Sequence, residues 1–216
     1  MVSNISKPAI PGLTEIRQRL ASTRLPDDPV NIVLPDDSSR WSAIMRQTVA
    51  DTMKPAGVLV PIMEHGAELT ILLTQRSAAL SMHASQVSFP GGRMEESDTD
   101  IEATALRETR EEVGIEEHYV SVLGYLPTLP TITGYAVTPI VGTVSTRAEL
   151  AIDPAEVEYA FEVPLSFLLD PANDIVRERE VKGQTLPMVE FCWDEVRIWG
   201  ATAYMILELR KRLLKQ

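Results

Sequence analysis

Three carboxylates crowd into five positions of this chain: Glu108, Glu111 and Glu112, inside the run ALRETREEVGI at 105–115. An α-helix turns about 100° per residue, which sets the three on one arc of roughly 100°. Side chains three or four residues apart have Cβ atoms about 5–6 Å apart, close enough to share one or two ions. Hard oxygen donors of this kind suit Mg²⁺ or Mn²⁺, which bind one or two carboxylates together with substrate phosphates. The competing reading is a solvated acidic face balanced by Arg107 and Arg110. Repulsion at i,i+4 amounts to a few tenths of a kcal/mol and does not by itself demand a metal. Leu106, Thr109 and Val113 lie on another side of the helix. The expectation is that this side is buried and that all three carboxylates form a solvent-facing arc beside a cleft.

The elements that must hold this helix are legible around it. Thr99 and Glu102 have the spacing of a capping box, so the helix is expected to start just after Thr99, and Gly114 to end it. Pro90, Gly91 and Gly92 make a turn whose backbone can approach an ion or a phosphate closely. Further upstream, AGVLVPIME and LTILLTQR read as two strands joined by the hairpin signal HGAE. Downstream, VSVLGYLPTL, AVTPIVGTV, DIVRERE and LPMVEFCW read as strands. AEVEYAFEVPLSFLLD reads as a strand passing into a short helix, and ATAYMILELRKRLL as a closing helix with cations in its last turns. Before the first strand, LTEIRQRLAS and RWSAIMRQTVADTM have helical spacing, with a Pro- and Asp-rich connector between them. The mixture predicts an α/β protein with helices on both faces of a mixed sheet.

Composition narrows the function classes. The formal net charge is -11, so a face for nucleic acid or anionic lipid is not expected. No apolar run is long enough to span a bilayer, and the N-terminus lacks a signal-peptide pattern, so the cytoplasm is the expected location. Cys192 is the single cysteine and reads as a core residue.

The motif GG…ALRETREEVGI resembles a Nudix box, with Arg107, Glu108, Glu111, Glu112, Gly114 and Ile115 in register. Thr109 stands where the pattern has an apolar residue. The gap from Gly92 to Arg107 is one residue longer than the general pattern, and Asp98 falls where its first Glu would be. The coenzyme A pyrophosphatase branch shares that longer gap. It is also similar in LLTQRSAALSMHASQVSFPGG at 72–92, with Ser81 and Ser85 replacing an Arg and a Gly. The resemblance spans roughly residues 55 to 214.

It implies a Nudix-type α/β/α sandwich at 51–216, preceded by an N-terminal arm with short helices at 1–50. It also implies metal-dependent cleavage of a small-molecule diphosphate, with coenzyme A or its thioesters as the branch substrate. Other diphosphates (ADP-ribose, a dinucleotide, a nucleoside triphosphate) and a non-catalytic nucleotide sensor are the alternatives. Glu108, Glu112, Glu111 and the Gly92 carbonyl are the implied ligands of Mg²⁺ or Mn²⁺, with Glu108 and Glu112 the principal pair. Glu111 or Glu108 is the expected base, with Glu156 and Glu158 as alternatives. Arg107 is expected to orient the glutamates. Arg76 and Gly91 are candidate substrate contacts, an ion pair being the equal alternative for Arg76. His83 is a weaker phosphate candidate. Trp193, Trp199 and Tyr135 read as core or interface groups. The N-terminal arm and IWGATAYMIL are candidate homodimer surfaces.

Overall fold

A computed structural model describes residues 9–34, 53–66, 68–78, 85–181 and 183–214. His83, Ser81 and the expected helix at RWSAIMRQTVADTM fall wholly or largely outside them. The strands are β1 (Lys54–His65), β2 (Glu68–Arg76), β3 (Val87–Ser88), β4 (Gly91–Arg93), β5 (Val120–Tyr125), β6 (Leu129–Pro130), β7 (Tyr135–Val144), β8 (Val157–Pro164), β9 (Ile175–Val181), β10 (Gln184–Trp193) and β11 (Val196–Ile198). The helices are α1 (Leu13–Leu20), α2 (Ile101–Val113), α3 (Leu165–Leu169) and α4 (Gly200–Leu214), with 3-10 turns at Glu117–Tyr119 and Pro171–Asn173.

The main sheet is mixed. β1 runs parallel to β7, and every other pairing is antiparallel: β2 and β4 on one edge of β1, β5 and β6 on the far edge of β7, β3 and β8 on β2. β1 is apolar on both faces because both faces are covered. Val58, Val60 and Ile62 join Ile16 and Leu20 of α1, Leu165 and Leu168 of α3 and Ile206 and Leu209 of α4 in one core. Leu59 turns the other way and packs with Ile140 against Ala105 and Leu106 of α2. Met63 joins Leu72 and Val113 in a smaller cluster. The result is an α/β/α sandwich around a mixed sheet. A three-stranded antiparallel sheet, β11-β10-β9, stands beside it, reached through α4.

β1 approaches α2 very closely. A β-carbon at Gly57 would fall inside the van der Waals radius of the Ile101 carbonyl oxygen, so the two backbones meet with only a hydrogen atom between them.

Two local expectations are corrected. The N-cap of α2 is Asp100, whose carboxylate accepts from the Ala103 amide at 2.8 Å. Asp reaches the orphan amides at least as well as Thr, so Thr99 stays outside the helix and Glu102 instead accepts from the Tyr125 hydroxyl. Gly114 ends the helix in the left-handed conformation at φ 75°, as expected. Cys192 is exposed, not core, and Phe191 beside it takes the core position.

Within the chain, α1 of the N-terminal arm packs against the last turn of α4, beyond the IWGATAYMIL candidate surface. Arg212 of α4 donates to the Arg19 carbonyl of α1 at 3.0 Å, and Arg19 donates to the Leu213 carbonyl. No helix among the described residues is long and apolar enough to cross a membrane.

Candidate active site

α2 buries Ile101, Thr104, Ala105, Leu106, Thr109, Glu112 and Val113. On a wheel of about 100° per residue, Glu112 falls near the middle of that set. The expectation of a solvent-facing Glu112 is therefore corrected: it is 1% exposed. Ile101, Thr104 and Ala105 widen the buried side beyond Leu106, Thr109 and Val113, so the acidic arc begins in solvent and ends in the interior. Glu111 lies at the wet end with a side chain 46% exposed, and Glu108 lies between at 16%. Thr109 is buried and occupies its apolar position without leaving its hydroxyl unmet: it donates to the Ala105 carbonyl at 2.6 Å.

The buried carboxylate is held from two sides. Arg76, at the end of β2, donates to Glu112 at 3.0 Å, and the Gly91 amide donates to its other oxygen at 3.2 Å. The alternative of an ion pair for Arg76 is thus realised in this state. Gly91 has φ 150°, and a β-carbon there would strike the backbone of Gly57 and Val58. At Gly92 a β-carbon would land on the carboxylate of Glu108. The two glycines thus let β4 lie directly against the acidic helix.

Arg107 fixes the flank. It donates to Glu108 at 2.8 Å and Glu111 at 3.0 Å, to both oxygens of Asp98 at 2.8 and 3.0 Å, and to the Arg93 carbonyl at 3.1 Å. The Asp98 carboxyl is held down to about 2, chiefly by the Arg107 hydrogen bond. Asp98 was visible in the sequence only as a residue out of place in a motif. Its partner is the arginine nine positions on, which no local pattern indicates.

Glu108 and Glu112 are joined by Glu156, from the turn before β8, and carboxylate oxygens of the three lie within 4.8 Å of one another. Glu111 is outside this trio, and Glu158 is exposed on the following strand. Burial is the leading cause that pushes Glu112 up to about 7, with Glu108 and Glu156 adding repulsion against the pull of Arg76. Burial raises Glu108 as well, against the pull of Arg107. Three mutually repelling, partly desolvated carboxylates are a donor set that a divalent cation would relieve, and its all-oxygen chemistry fits Mg²⁺ or Mn²⁺.

The trio borders a cleft of about 970 Å³. Leu129, Ile132 and Tyr135 line one part of it, and Met188, Trp199 and Tyr204 another. Trp199 and Tyr135 therefore face a cleft, beyond the core or interface role expected from sequence. Trp193 does pack as expected, edge-on to Phe167 at 4.9 Å.

Comparison with known proteins identifies the family. The NUDIX domain model matches residues 53–188. The chain is 42% identical over 165 residues to an uncharacterized Nudix hydrolase NudL of Photorhabdus laumondii subsp. laumondii, covering 76% of this chain and 88% of that protein. Against the protein of the same name from Citrobacter koseri it is 38% identical over 185 residues, covering 83% and 94%. The NUDIX domain of Shewanella oneidensis NrtR, crystallised with ADP ribose, superposes with a TM-score of 0.48 at 20% identity, covering 73% of this chain and 86% of that one. With a family match over more than half its length and relatives this similar across most of theirs, the chain belongs to the Nudix family, as a hydrolase acting on pyrophosphate bonds.

Proposed function

We propose that this enzyme cleaves the diphosphate of coenzyme A and its thioesters, giving 3′,5′-ADP and 4′-phosphopantetheine or its acyl form. The observation that carries the reading is the carboxylate trio at the edge of a large, mainly apolar cleft. Such a cleft suits a substrate with a charged diphosphate and an extended, weakly polar arm. The resemblance at 72–92 points to the same branch. There the chain meets a requirement of its own: Ser85, in place of the branch glycine, keeps a left-handed φ of 58°.

In this reading Glu108 and Glu112 hold Mg²⁺ or Mn²⁺, with the Gly92 carbonyl beside them. The ion supplies charge neutralisation of the diphosphate and a water of lowered pKa. Arg107 keeps Glu108 in place through its grip on Asp98. Glu156 is the residue we assign to take the proton from the attacking water. No hydrogen bond or ion pair to another described residue engages its carboxylate, whereas Glu108 is held by Arg107 and Glu112 by Arg76. Accordingly, Glu156→Gln is expected to lower kcat by about 10²- to 10⁴-fold, the range of general-base removal. Glu111→Gln, on the outer face, is expected to lower it less than about tenfold. Steady-state kinetics on both variants checks this order, and the reverse order would return the base to Glu111.

A panel of diphosphates assayed with Mg²⁺ and with Mn²⁺, with product identification, tests the substrate. Coenzyme A and its thioesters should exceed ADP-ribose, dinucleotides and nucleoside triphosphates in kcat/KM. Cleavage of coenzyme A no faster than of ADP-ribose would remove the assignment and leave a Nudix hydrolase of another substrate.

A further inference from the structure

The geometry points to a second anion-binding position in the cleft, built around Arg179, that takes a phosphate monoester carried by the substrate in addition to its diphosphate. The inference rests on the coenzyme A reading, because that substrate bears such a group on its ribose.

Arg179 lies on β9, outside the main sheet and outside the Nudix-box helix, yet it lines the same cleft as Glu108, Glu112 and Glu156. Its guanidinium is held in orientation. One nitrogen donates to Glu190 at 3.0 Å, and its central carbon lies 5.6 Å from the centre of the Trp199 ring. Glu190 is only 4% exposed, so this anchor is fixed inside the protein. Its other oxygen is already met by Arg177, whose side chain is 60% exposed and does not line the cleft. One buried carboxylate thus faces two guanidinium groups, one more than it balances, while Glu180 lines the same cleft beside Arg179. Neutralising Glu190 needs only one of the two guanidinium groups. Arg179 is the one turned to the cleft, with its side chain 31% exposed.

A guanidinium has five N–H donors in one plane. Among the described residues Glu190 is the hydrogen-bond partner Arg179 has, so donors remain for a ligand. Planar donors of this kind match phosphate oxygens well. The arrangement also explains why a strongly acidic protein keeps an arginine on the cleft wall contributed by its smaller sheet. There it can hold the ribose phosphate of a polyanionic substrate while the diphosphate sits at the carboxylates.

The test compares kcat/KM for coenzyme A and for 3′-dephospho-coenzyme A, which differ by that one phosphate, with ADP-ribose as a reference. The unmodified enzyme should prefer coenzyme A by about 10- to 100-fold, the range of a hydrogen bond to a charged group. The preference should appear in KM, because the contact is the same before and during the reaction. Arg179→Ala should bring the ratio near one, Arg179→Lys should restore part of it, and Arg177→Ala should keep it. A ratio near one in the unmodified enzyme, or an unchanged ratio in Arg179→Ala, overturns the inference alone. Cleavage of ADP-ribose but of neither coenzyme overturns the coenzyme A reading together with it.

Discussion

Glu112→Gln is expected to lower kcat by about 10³-fold with saturating Mg²⁺, since a lost metal carboxylate removes several kcal/mol of charge stabilisation. The same change should leave the fold intact, because Gln fills the same volume among Arg76, Gly91 and the buried face of α2. Its effect on stability depends on pH, and the sign follows from burial. Glu112 is pushed from 4.5 up to about 7 in the folded protein. Between these values the folded state keeps a proton that the unfolded state has lost, so metal-free protein loses stability as pH rises through that window. At about 1.4 kcal/mol per pKa unit, the full loss is about 3 kcal/mol. Urea unfolding in EDTA at pH 5 and pH 8 should show this slope in the unmodified protein and a much flatter one in Glu112→Gln. Equal slopes would mean that Glu112 is already ionised at pH 5, and wild-type turnover would remove it from the ligand set.

The second large effect separates two adjacent glycines. At Gly92 an added β-carbon meets the carboxylate of Glu108, the end of a side chain that can swing away. Gly92→Ala is therefore expected to fold with nearly unchanged stability and to lose about 10²-fold in kcat, as expected for a displaced catalytic group. At Gly91 the β-carbon meets the backbone of Gly57 and Val58, which cannot swing, and φ is 150°. Gly91→Ala is expected to destabilise the protein by about 4 kcal/mol or more and to express poorly. Thermal unfolding and kinetics on both variants check the contrast. If Gly92→Ala were the unstable variant and Gly91→Ala the inactive but folded one, the placement of β4 against α2 would be wrong.

The contrast also shows which parts of the site were legible in the sequence. Glu108, Glu112 and the glycine pair were readable because their spacing is local, and Gly114 marked the end of α2, whereas its start, read from Thr99 and Glu102, is capped by Asp100 instead. The depth of Glu112 was not readable, since the buried side of a helix is set by all its apolar residues, and Ile101, Thr104 and Ala105 were left out of the wheel. The long strands β1, β2 and β7 carried enough β-branched residues to be found. β3, β4 and β11 span only two or three residues and have no period to detect. Glu156, named from sequence only as one of two alternatives for the base, meets Glu108 and Glu112 across the fold, and Arg179 meets Glu190 across a strand pair. Such pairings depend on register, which one sequence does not encode in any window. The parallel match of β1 with β7 is of the same kind.

Position 57 shows how far precision can lie from chemistry. It carries no functional group and touches no substrate, yet it sets how deeply the acidic helix seats on the sheet. A single methyl there would lift one end of the helix and tilt Glu108 and Glu112 away from Glu156. Since misplacement by about 1 Å can forfeit 10²-fold in rate, the tolerance of the carboxylate cluster is delegated to a hydrogen atom on the central strand. Engineering that redesigns the cleft for other diphosphates has to keep this seam closed.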